Sequence, residues 1–434
     1  MDRRPNFVVL LTDDQGLGDL GCYGADDLET PNLDRLAASG TRCTQWYSNA
    51  PLCSPSRASL ITGRYPVQAG VPDNIGPGRD DRGVTRDVPT LPELLRDAGY
   101  QTRMVGKWHL GQWAGERPHE RGFDDFKGFL HGCVDYWSHV FYWLMAGGQA
   151  PPRHDLWHND TELHRDGEYL THILADCAVE ALREMYADDR PFLLYVPFNA
   201  PHYPMQAPKA TLDRFAHLDT ARQHTAALLF EYDAAVGRIL DELGALGLSD
   251  DTVIFSSADH GPSRETRNWP DGREEPYPGG STGGLRGSKA TLYEGGIRLP
   301  TIWRWPGVTS PGSVYHGIGA HMDVLPTLLT AAGVDPSSLA QLDLDGIDHC
   351  TALASNDPAD SPHAESPLVW RFRSLSAIRR GDWKLVTQEP PDAPVSSELY
   401  HLPTDRAERE DRRSEEPDVA AALATLLDGR CDNC

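Results

Sequence analysis

The short segment Cys-Ser-Pro-Ser-Arg near residue 55 has the side chains best suited to chemistry in this chain. Ser54 is a favoured N-cap, Pro55 suits the first helical position, and Gly63 suits the C-terminal cap. This pattern predicts a helix with Cys53 at its N-terminus, where backbone N–H groups favour negative charge. Arg57 lies four residues later on the same face and adds a fixed cation. The spacing therefore indicates a site for an anion.

Four predicted strands end directly before other reactive groups, and these strands must position them near the helix. The strands and the residues that follow them are Asn6–Leu11 with Asp13 and Asp14, Tyr100–Gly106 with Lys107 and His109, Phe192–Phe198 with His202, and Thr252–Ser257 with Asp259 and His260. Strands that alternate with helices favour a largely parallel α/β sheet, which binds ligands beyond the carboxyl ends of its strands. We therefore expect these groups to meet at one site.

Three stretches resemble the conserved motifs of the type I (formylglycine-dependent), arylsulfatase-like sulfatases of the alkaline phosphatase superfamily. These are the Cys-x-Pro-x-Arg segment, the run Gly-Tyr-x-Thr-x-x-Val-Gly-Lys-Trp-His that ends at His109, and the loop around Lys289. The resemblance implies an alkaline-phosphatase-like α/β fold with a large, mostly parallel sheet sandwiched by helices. It implies a catalytic domain over residues 1–345 and a small C-terminal α+β subdomain over 346–434. The subdomain is expected to carry an antiparallel sheet and a terminal helix.

The resemblance also implies hydrolysis of a sulfate ester, of a sulfated carbohydrate and of small aryl sulfates, to an alcohol and inorganic sulfate. A formylglycine-generating enzyme would convert the cysteine to formylglycine, whose hydrated aldehyde is the nucleophile. The implied catalytic residues are Cys53, Arg57, Lys107, His109, His202 and Lys289. The implied metal ligands are Asp13, Asp14, Cys53, Asp259 and His260. Two further residues, Tyr136 and His139, lie in a stretch that resembles the substrate pocket of some carbohydrate sulfatases and are expected to bind substrate.

The expected ion is Ca²⁺ because most of the implied ligands are carboxylate oxygens. His260 departs from the asparagine that is usual in the family, and its imidazole also suits Mn²⁺ or Mg²⁺. The segment from Phe126 to His158 is rich in aromatic residues and histidines. We expect this segment to determine which sulfate ester the protein accepts.

Composition argues against several classes of partner. Acidic residues outnumber basic ones by 64 to 40, which gives a formal net charge of −24 and disfavours nucleic acid and anionic membranes. The N-terminal apolar run Phe7–Leu11 is shorter than a signal-peptide core, and no run approaches the roughly 20 residues of a membrane span. These features predict a cytoplasmic protein whose eight cysteines are reduced thiols.

Three other functions are compatible with parts of the pattern. A phosphonate monoester or phosphodiester hydrolase of the same superfamily is favoured by His260. A phosphatase with an unmodified cysteine needs five residues between cysteine and arginine, whereas this chain has three. A non-catalytic binding protein on the same fold is disfavoured because every site position holds a competent residue. The terminal pair Cys431 and Cys434 has CxxC spacing but lacks the βαβ context of a redox motif.

Overall fold

The computed structural model describes residues 4–78, 82–141, 152–266, 276 and 278–429. The described residues form sixteen strands: β1 (Asn6–Thr12), β2 (Thr41–Tyr47), β3 (Gln101–Lys107), β4 (Asp125–Phe129), β5 (Val140–Phe141), β6 (Arg153–His154), β7 (Trp157–His158), β8 (Thr161–Glu162), β9 (Phe192–Pro197), β10 (Thr252–Ala258), β11 (Arg298–Arg304), β12 (Ser313–Ala320), β13 (Leu368–Phe372), β14 (Leu375–Arg380), β15 (Trp383–Gln388) and β16 (Ser396–His401).

The same residues form eleven α-helices: α1 (Pro31–Ser39), α2 (Cys53–Thr62), α3 (Leu91–Asp97), α4 (Leu170–Tyr186), α5 (Lys209–Arg214), α6 (Thr220–Ala245), α7 (Glu294–Ile297), α8 (Val324–Ala331), α9 (Pro336–Leu339), α10 (Cys350–Ser355) and α11 (Pro417–Asp428). Within the described ranges, no helix combines the length and the apolar character that a membrane crossing requires. The predicted CxxC pair, Cys431 and Cys434, lies outside the described residues.

Ten strands form one large sheet in the order β12–β2–β11–β10–β1–β9–β3–β4–β7–β8. The five consecutive strands from β10 to β4 are all parallel. Strands β11, β7 and β8 pair antiparallel with their neighbours toward the two edges. The prediction of a large, mostly parallel sheet flanked by helices is confirmed.

Alternate residues of β1 pack into apolar cores on opposite faces of this sheet. Val8 and Leu10 belong to a core built with α4 and α6, whereas Phe7, Val9 and Leu11 belong to a core built with α2, α3 and α8. A strand covered on both faces needs a continuous apolar run, which explains the sequence of β1. The helices of the second core include α2, so the sheet and the cysteine helix pack directly together.

The carboxyl ends of the central strands meet at one edge. Thr12 at the end of β1 pairs with Ala258 of β10, and Leu11 pairs with Pro197 of β9. The next residues along the chain therefore emerge side by side. This arrangement brings the predicted strand-end groups into one region of the molecule.

A separate four-stranded antiparallel sheet, β13–β14–β15–β16, follows in the chain, and α11 packs against it. Strands β13 and β14 form a hairpin that turns at Arg373, which has a φ of 56°. The segment 342–362, which precedes this sheet, contains α10, whose Ala352 and Leu353 are buried. The domain division at residue 345 stays a prediction.

Candidate active site

Helix α2 begins at Cys53 and is buried along its whole length. The N-cap is Leu52 and not Ser54, so the helix begins two residues earlier than its sequence pattern predicts. Ser54 contacts a neighbouring loop instead, donating its N–H to Asn74 Oδ1 (3.0 Å) and accepting the N–H of Ile75 on its Oγ (3.1 Å). At the other end Gly63 adopts the predicted left-handed cap with a φ of 67°. Cys53 therefore lies in the first helical turn.

The Cys53 thiol lies among charged groups from three strand ends and one loop. Its Sγ is 3.5 Å from Asp13 Oδ1 and 3.3 Å from His260 Nε2. Burial alone would raise the pKa of Cys53, but the charges of Lys107, Lys289 and His260 outweigh it and hold the pKa well below its usual range. The site therefore stabilises negative charge at position 53.

Arg57, which lies in the same helix as Cys53, contacts the carboxylate of Asp259. Its Nη2 and Nε lie 3.0 and 3.2 Å from Asp259 Oδ2, and its Nη1 donates to the carbonyl of Lys107 (3.3 Å). Burial would raise the pKa of Asp259, but the charges of His260 and Arg57 hold it below the usual range. Arg57 thus fixes α2 against the ends of β10 and β3.

Asp13 is buried and forms an ion pair with Lys107, whose Nζ is 2.5 Å from Asp13 Oδ2. Burial and the neighbouring charge of Cys53 nevertheless raise the pKa of Asp13 well above its usual range. The cationic side chains around Asp13 therefore do not fully compensate the negative charge there. A bound cation would remove that deficit.

The residues present fit a divalent cation. Asp13, Asp14, Cys53 and His260 are all buried, and their ligand atoms lie within 4.8 Å of one another. Asp14 Oδ1 is buried and accepts no well-aligned hydrogen bond within the described part of the chain, although Lys289 Nζ lies 3.0 Å away. His260 Nδ1 donates to the carbonyl of Gly261 (2.9 Å), which directs Nε2 toward the cluster, 3.3 Å from Asp14 Oδ1.

Asp259, the fifth predicted ligand, lies beside this cluster. Its Oδ1 is 3.6 Å from His260 Nε2, while its Oδ2 is held by Arg57. Burial would lower the pKa of His260, but Asp259 and Cys53 raise it to about 9. Both observations indicate an excess of negative charge around His260, as expected for a cation site.

His109 is a buried, neutral imidazole close to the cysteine. Burial and the charge of Lys107 lower its pKa to about 4, against an opposing interaction with Cys53. Its Nε2 donates to the carbonyl of Ile75 (3.0 Å), and its Nδ1 makes no hydrogen bond among the described residues. His109 therefore carries its lone pair on Nδ1.

Lys289 and His202 line the same cavity as the cysteine. Lys289 Nζ is 3.0 Å from Asp14 Oδ1, 3.1 Å from Glu265 Oε2 and 3.5 Å from His202 Nε2. The His202 Nδ1 donates to the carbonyl of Tyr203 (2.8 Å). Glu265 was missed by the sequence analysis because it lies in a polar, Gly- and Pro-rich loop that carries no motif.

A cavity of about 250 Å³ opens onto these groups. Its lining residues are Cys53, Asn74, Ile75, Gly76, Pro77, His109, His131, Gly132, Cys133, Phe141, His202, Tyr203, Glu265 and Lys289. His131 stacks on Phe141 with ring centroids 4.5 Å apart, and its Nδ1 is 2.7 Å from Asp155 Oδ2. The segment from Phe126 to His158, which is predicted to determine the substrate, therefore contributes the imidazole of His131 and the ring of Phe141 to the cavity wall.

The two residues predicted to bind substrate, Tyr136 and His139, do not line this cavity. Both are fully buried. Tyr136 donates its hydroxyl to the carbonyls of His202 (2.9 Å) and Asn199, and therefore supports the loop that carries His202. The Nε2 of His139 donates to the carbonyl of Glu168 (3.1 Å). The cavity wall from this part of the chain is formed by residues 131–133 and 141, and a substrate-binding role for Tyr136 and His139 stays a prediction.

Comparisons with known proteins agree with this geometry. N-acetylgalactosamine-6-sulfatase from Rattus norvegicus is 34% identical over 397 residues, covering 88% of this chain and 71% of that protein. Arylsulfatase A from Homo sapiens is 35% identical over 410 residues, covering 88% of this chain and 74% of that protein. The crystal structure of Ps i-CgsB in complex with k-i-k-neocarrahexaose superposes with a TM-score of 0.87 at 28% identity. That superposition covers 100% of this chain and 94% of the other.

The relatives overturn the predicted cytoplasmic location. N-acetylgalactosamine-6-sulfatase and arylsulfatase A are lysosomal or secreted enzymes. The prediction was wrong because it rested on the length of one short apolar run, which does not determine a compartment.

The family model described as Sulfatase matches residues 5–334, which include every strand-end group of the site. Two relatives above 30% identity, each aligned over 88% of this chain, agree with this match. The chain belongs to the sulfatase family and is a sulfuric ester hydrolase.

Proposed function

We propose that this protein hydrolyses the sulfate ester of a sulfated carbohydrate, and more slowly that of small aryl sulfates, through formylglycine at position 53. The observation that carries the proposal is the position of Cys53, which faces both the cavity and the buried acidic cluster. The carbohydrate preference is supported by relatives, one named N-acetylgalactosamine-6-sulfatase and one crystallised with a neocarrahexaose. The aryl activity is supported by the similarity to arylsulfatase A.

Asp13, Asp14, His260 and the side chain at position 53 would hold a divalent cation, with Asp259 as a neighbouring ligand. The ion would neutralise developing charge on the sulfuryl group. We propose Ca²⁺ because three of these groups are carboxylates. The protein's own cations Arg57, Lys107 and Lys289 would share in binding the anionic sulfuryl group.

Formylglycine would supply a hydrated aldehyde, one hydroxyl of which attacks sulfur while the other later allows sulfate to be expelled. The ester oxygen leaves with a proton, and two groups on the cavity wall are placed to deliver it. These are Lys289 Nζ and, when the ring is an imidazolium, His202 Nε2, which lie 3.5 Å apart. An aryl leaving group needs this proton less because its oxygen is a weaker base.

His109 is suited to the second half of the reaction. Its neutral ring can accept the proton of the remaining hydroxyl on Nδ1 as sulfate leaves. The hydrogen bond from Nε2 to the Ile75 carbonyl holds the ring in this tautomer.

The nucleophile can be tested by producing the protein together with a formylglycine-generating enzyme. The peptide that contains residue 53 should be lighter than its cysteine form and should react with carbonyl probes. Cys53→Ala should reduce sulfate release at least 10³-fold. Full turnover by protein that carries only the unmodified thiol would contradict the proposal.

The metal can be tested on the same preparation. Removal of divalent ions should reduce kcat at least 10²-fold, and Ca²⁺, Mn²⁺ and Mg²⁺ can then be added back one at a time. Recovery greatest with Ca²⁺ supports the proposed ion. Full activity in metal-free protein would contradict a metal-dependent site.

A second candidate is hydrolysis of phosphonate monoesters or phosphodiesters. The observation that favours it is His260, which takes the place of the usual asparagine beside the cluster. Aryl sulfate and aryl phosphonate monoester with the same leaving group should be compared on one enzyme preparation. A higher kcat/KM for the sulfate supports the first proposal, and a higher value for the phosphonate supports the second.

The sugar contact is best tested at His131, with His217 as the control. His131 lines the cavity, whereas His217 is an exposed histidine that does not. His131→Ala should raise KM for a sulfated oligosaccharide about tenfold or more while changing kcat/KM for an aryl sulfate less. His217→Ala should leave the kinetics of both substrates unchanged. Equal losses of the two activities in His131→Ala would contradict a sugar contact at His131.

A further inference from the structure

A second cluster of possible metal ligands lies behind the wall of the cavity. His139, His154 and Asp166 have ligand atoms within 4.8 Å of one another. His139 follows the turn before β5, His154 is the last residue of β6, and Asp166 lies in the loop between β8 and α4. Val140 of β5 pairs with His154 of β6, so backbone pairing brings the two histidines together. None of these three residues belongs to the proposed catalytic machinery.

Three of the four imidazole nitrogens of this cluster make no hydrogen bond within the described residues. His139 is fully buried, and its Nδ1 makes no hydrogen bond within the described residues. Both ring nitrogens of His154 are also buried without a hydrogen bond in that part of the chain. Buried polar groups are normally satisfied, and three orphan nitrogens in one place call for an explanation.

The tautomer of His139 is the one that metal-binding histidines use. Its Nε2 donates to the carbonyl of Glu168 (3.1 Å), which leaves the lone pair on Nδ1. A ligating histidine usually donates its other ring N–H to a carbonyl or carboxylate, which orients the ring. The left-handed backbone of His139, with a φ of 55°, further fixes where this ring lies.

We propose that His139, His154 and Asp166 form a structural site for Zn²⁺ or a similar transition-metal dication, separate from the catalytic cluster. Two imidazoles and one carboxylate are a donor set that suits zinc better than calcium or magnesium. In a tetrahedral zinc site, ligand atoms lie about 3.4 Å apart. The ligand atoms of this trio lie within 4.8 Å of one another. Binding zinc would therefore require them to move only slightly closer together, and the exposed side chain of Asp166 can make that movement.

A second, more exposed trio shares His154 with this cluster. Glu162 Oε2 is 3.7 Å from His154 Nδ1 and 3.6 Å from His164 Nε2. The side chains of Glu162 and His164 are 45% and 64% exposed. We assign the ion to the inner trio because only it contains a fully buried imidazole that is already oriented by a carbonyl.

The ion would stiffen the strand that supports the substrate wall. The residues on either side of His154 both contact His131, which lines the cavity: Asp155 Oδ2 accepts from its Nδ1, and Arg153 lies against its Nε2. Fixing His154 would therefore fix the ring of His131. This role goes beyond the proposed reaction, and it can be measured without turning over any substrate.

Zinc binding should be titrated calorimetrically into formylglycine-containing protein that holds excess Ca²⁺ at its catalytic cluster. Wild-type protein should bind one zinc ion more per chain than His154→Ala. Asp166→Asn, an exposed substitution, should weaken that zinc binding at least tenfold without affecting folding. Equal zinc stoichiometry and affinity in wild type and Asp166→Asn would overturn the proposal, even if His154→Ala failed to fold.

Two controls locate the ion. His217→Ala removes an exposed histidine outside the cluster and should leave zinc binding unchanged. Glu162→Gln should change zinc affinity less than threefold. Loss of zinc binding in Glu162→Gln, with binding retained in Asp166→Asn, would overturn the assignment to the inner trio. Because the readout is zinc binding alone, failure of this proposal and failure of sulfate-ester hydrolysis are separate results.

Discussion

The hydrogen bonds of the active-site histidines determine which ring nitrogen each can use. His109 donates Nε2–H to Ile75, whereas His202 and His260 donate Nδ1–H to the carbonyls of Tyr203 and Gly261. In each ring the other nitrogen is left for chemistry or for a metal. The roles proposed for the three histidines follow from these backbone contacts, which no sequence motif encodes directly.

His109→Gln tests the proposed base. Glutamine keeps an N–H donor for the Ile75 carbonyl but has no group that accepts a proton at neutral pH. Turnover of an aryl sulfate should fall by about 10²–10⁴-fold, the usual contribution of a general base. A rapid release of about one aryl alcohol per active site should remain, because the first step does not use His109. A kcat within twofold of wild type would contradict this role.

The sequence predicted which charged residues meet at the site better than it predicted which residues form the cavity wall. The cysteine, Arg57 and the strand-end groups were found because motifs and strand ends fix their positions. Glu265 and His131 reach the cavity through irregular loops. No sequence signal marks Glu265, and His131 was included only as part of the aromatic and histidine-rich segment from Phe126 to His158. Tyr136 and His139 come from the same segment and do not line the cavity, since neighbouring residues in a loop can point in opposite directions.

At the scale of elements, the close approach of β3 to β9 positions Lys107 and His109. Gly106 has a φ of 133°, and a Cβ there would lie 2.0 Å from the carbonyl oxygen of Pro197. Only glycine allows this approach without moving the strand. The close packing of β3 against β9 therefore explains why the Val-Gly-Lys-Trp-His run has glycine at position 106. The sequence alone did not reveal this.

Gly106→Ala should therefore damage both stability and activity. The added methyl group must push β3 away from β9, and we expect a loss of about 1–3 kcal/mol in the free energy of unfolding. Lys107 and His109 would move with the strand, so kcat should fall at least tenfold. Chemical denaturation and aryl sulfate turnover measure the two effects.

Gly244→Ala in α6 is the matched control for this substitution. The nearest atom to a Cβ at Gly244 is 3.8 Å away, and alanine is the better helix former. Its stability should be equal to or slightly above that of wild type, with unchanged turnover. Equal behaviour of the two variants would contradict the packing argument at Gly106.

On the scale of the whole molecule, a buried charge cluster joins the small sheet to the large one. Lys384 of β15 lies 2.9 Å from Glu294, which begins α7 next to β11, and 2.9 Å from Glu408. Glu294 also accepts hydrogen bonds from Tyr47 and Arg298 of the large sheet. The C-terminal sheet is thus attached by ionic contacts as well as by a shared apolar core.

Removing the central cation should strongly weaken this attachment. Lys384→Met leaves two buried carboxylates without their shared partner and should lower the free energy of unfolding by about 3–5 kcal/mol. Denaturant unfolding measures the loss. A change below 1 kcal/mol would show that water or other side chains replace the ammonium group.

Glu408 makes the stability of this junction depend on pH. Burial raises its pKa from 4.5 to about 7; the charge of Lys384 opposes this shift and that of Glu294 adds to it. Between these two pH values the folded protein holds a proton that the unfolded chain releases. By linkage, the contribution of Glu408 to the free energy of unfolding falls as the pH rises from 4.5 to 7.

Glu408→Gln cannot ionise, so this variant should lose that part of the pH dependence. The difference in unfolding free energy between pH 5 and pH 8 should shift by about 1–3 kcal/mol relative to wild type, in the direction of greater stability at pH 8. Glu415→Gln, at a surface ion pair with a carboxylate side chain 60% exposed, should leave the wild-type profile unchanged. Parallel profiles for wild type and Glu408→Gln would show that Glu408 stays ionised across this range, held by Lys384.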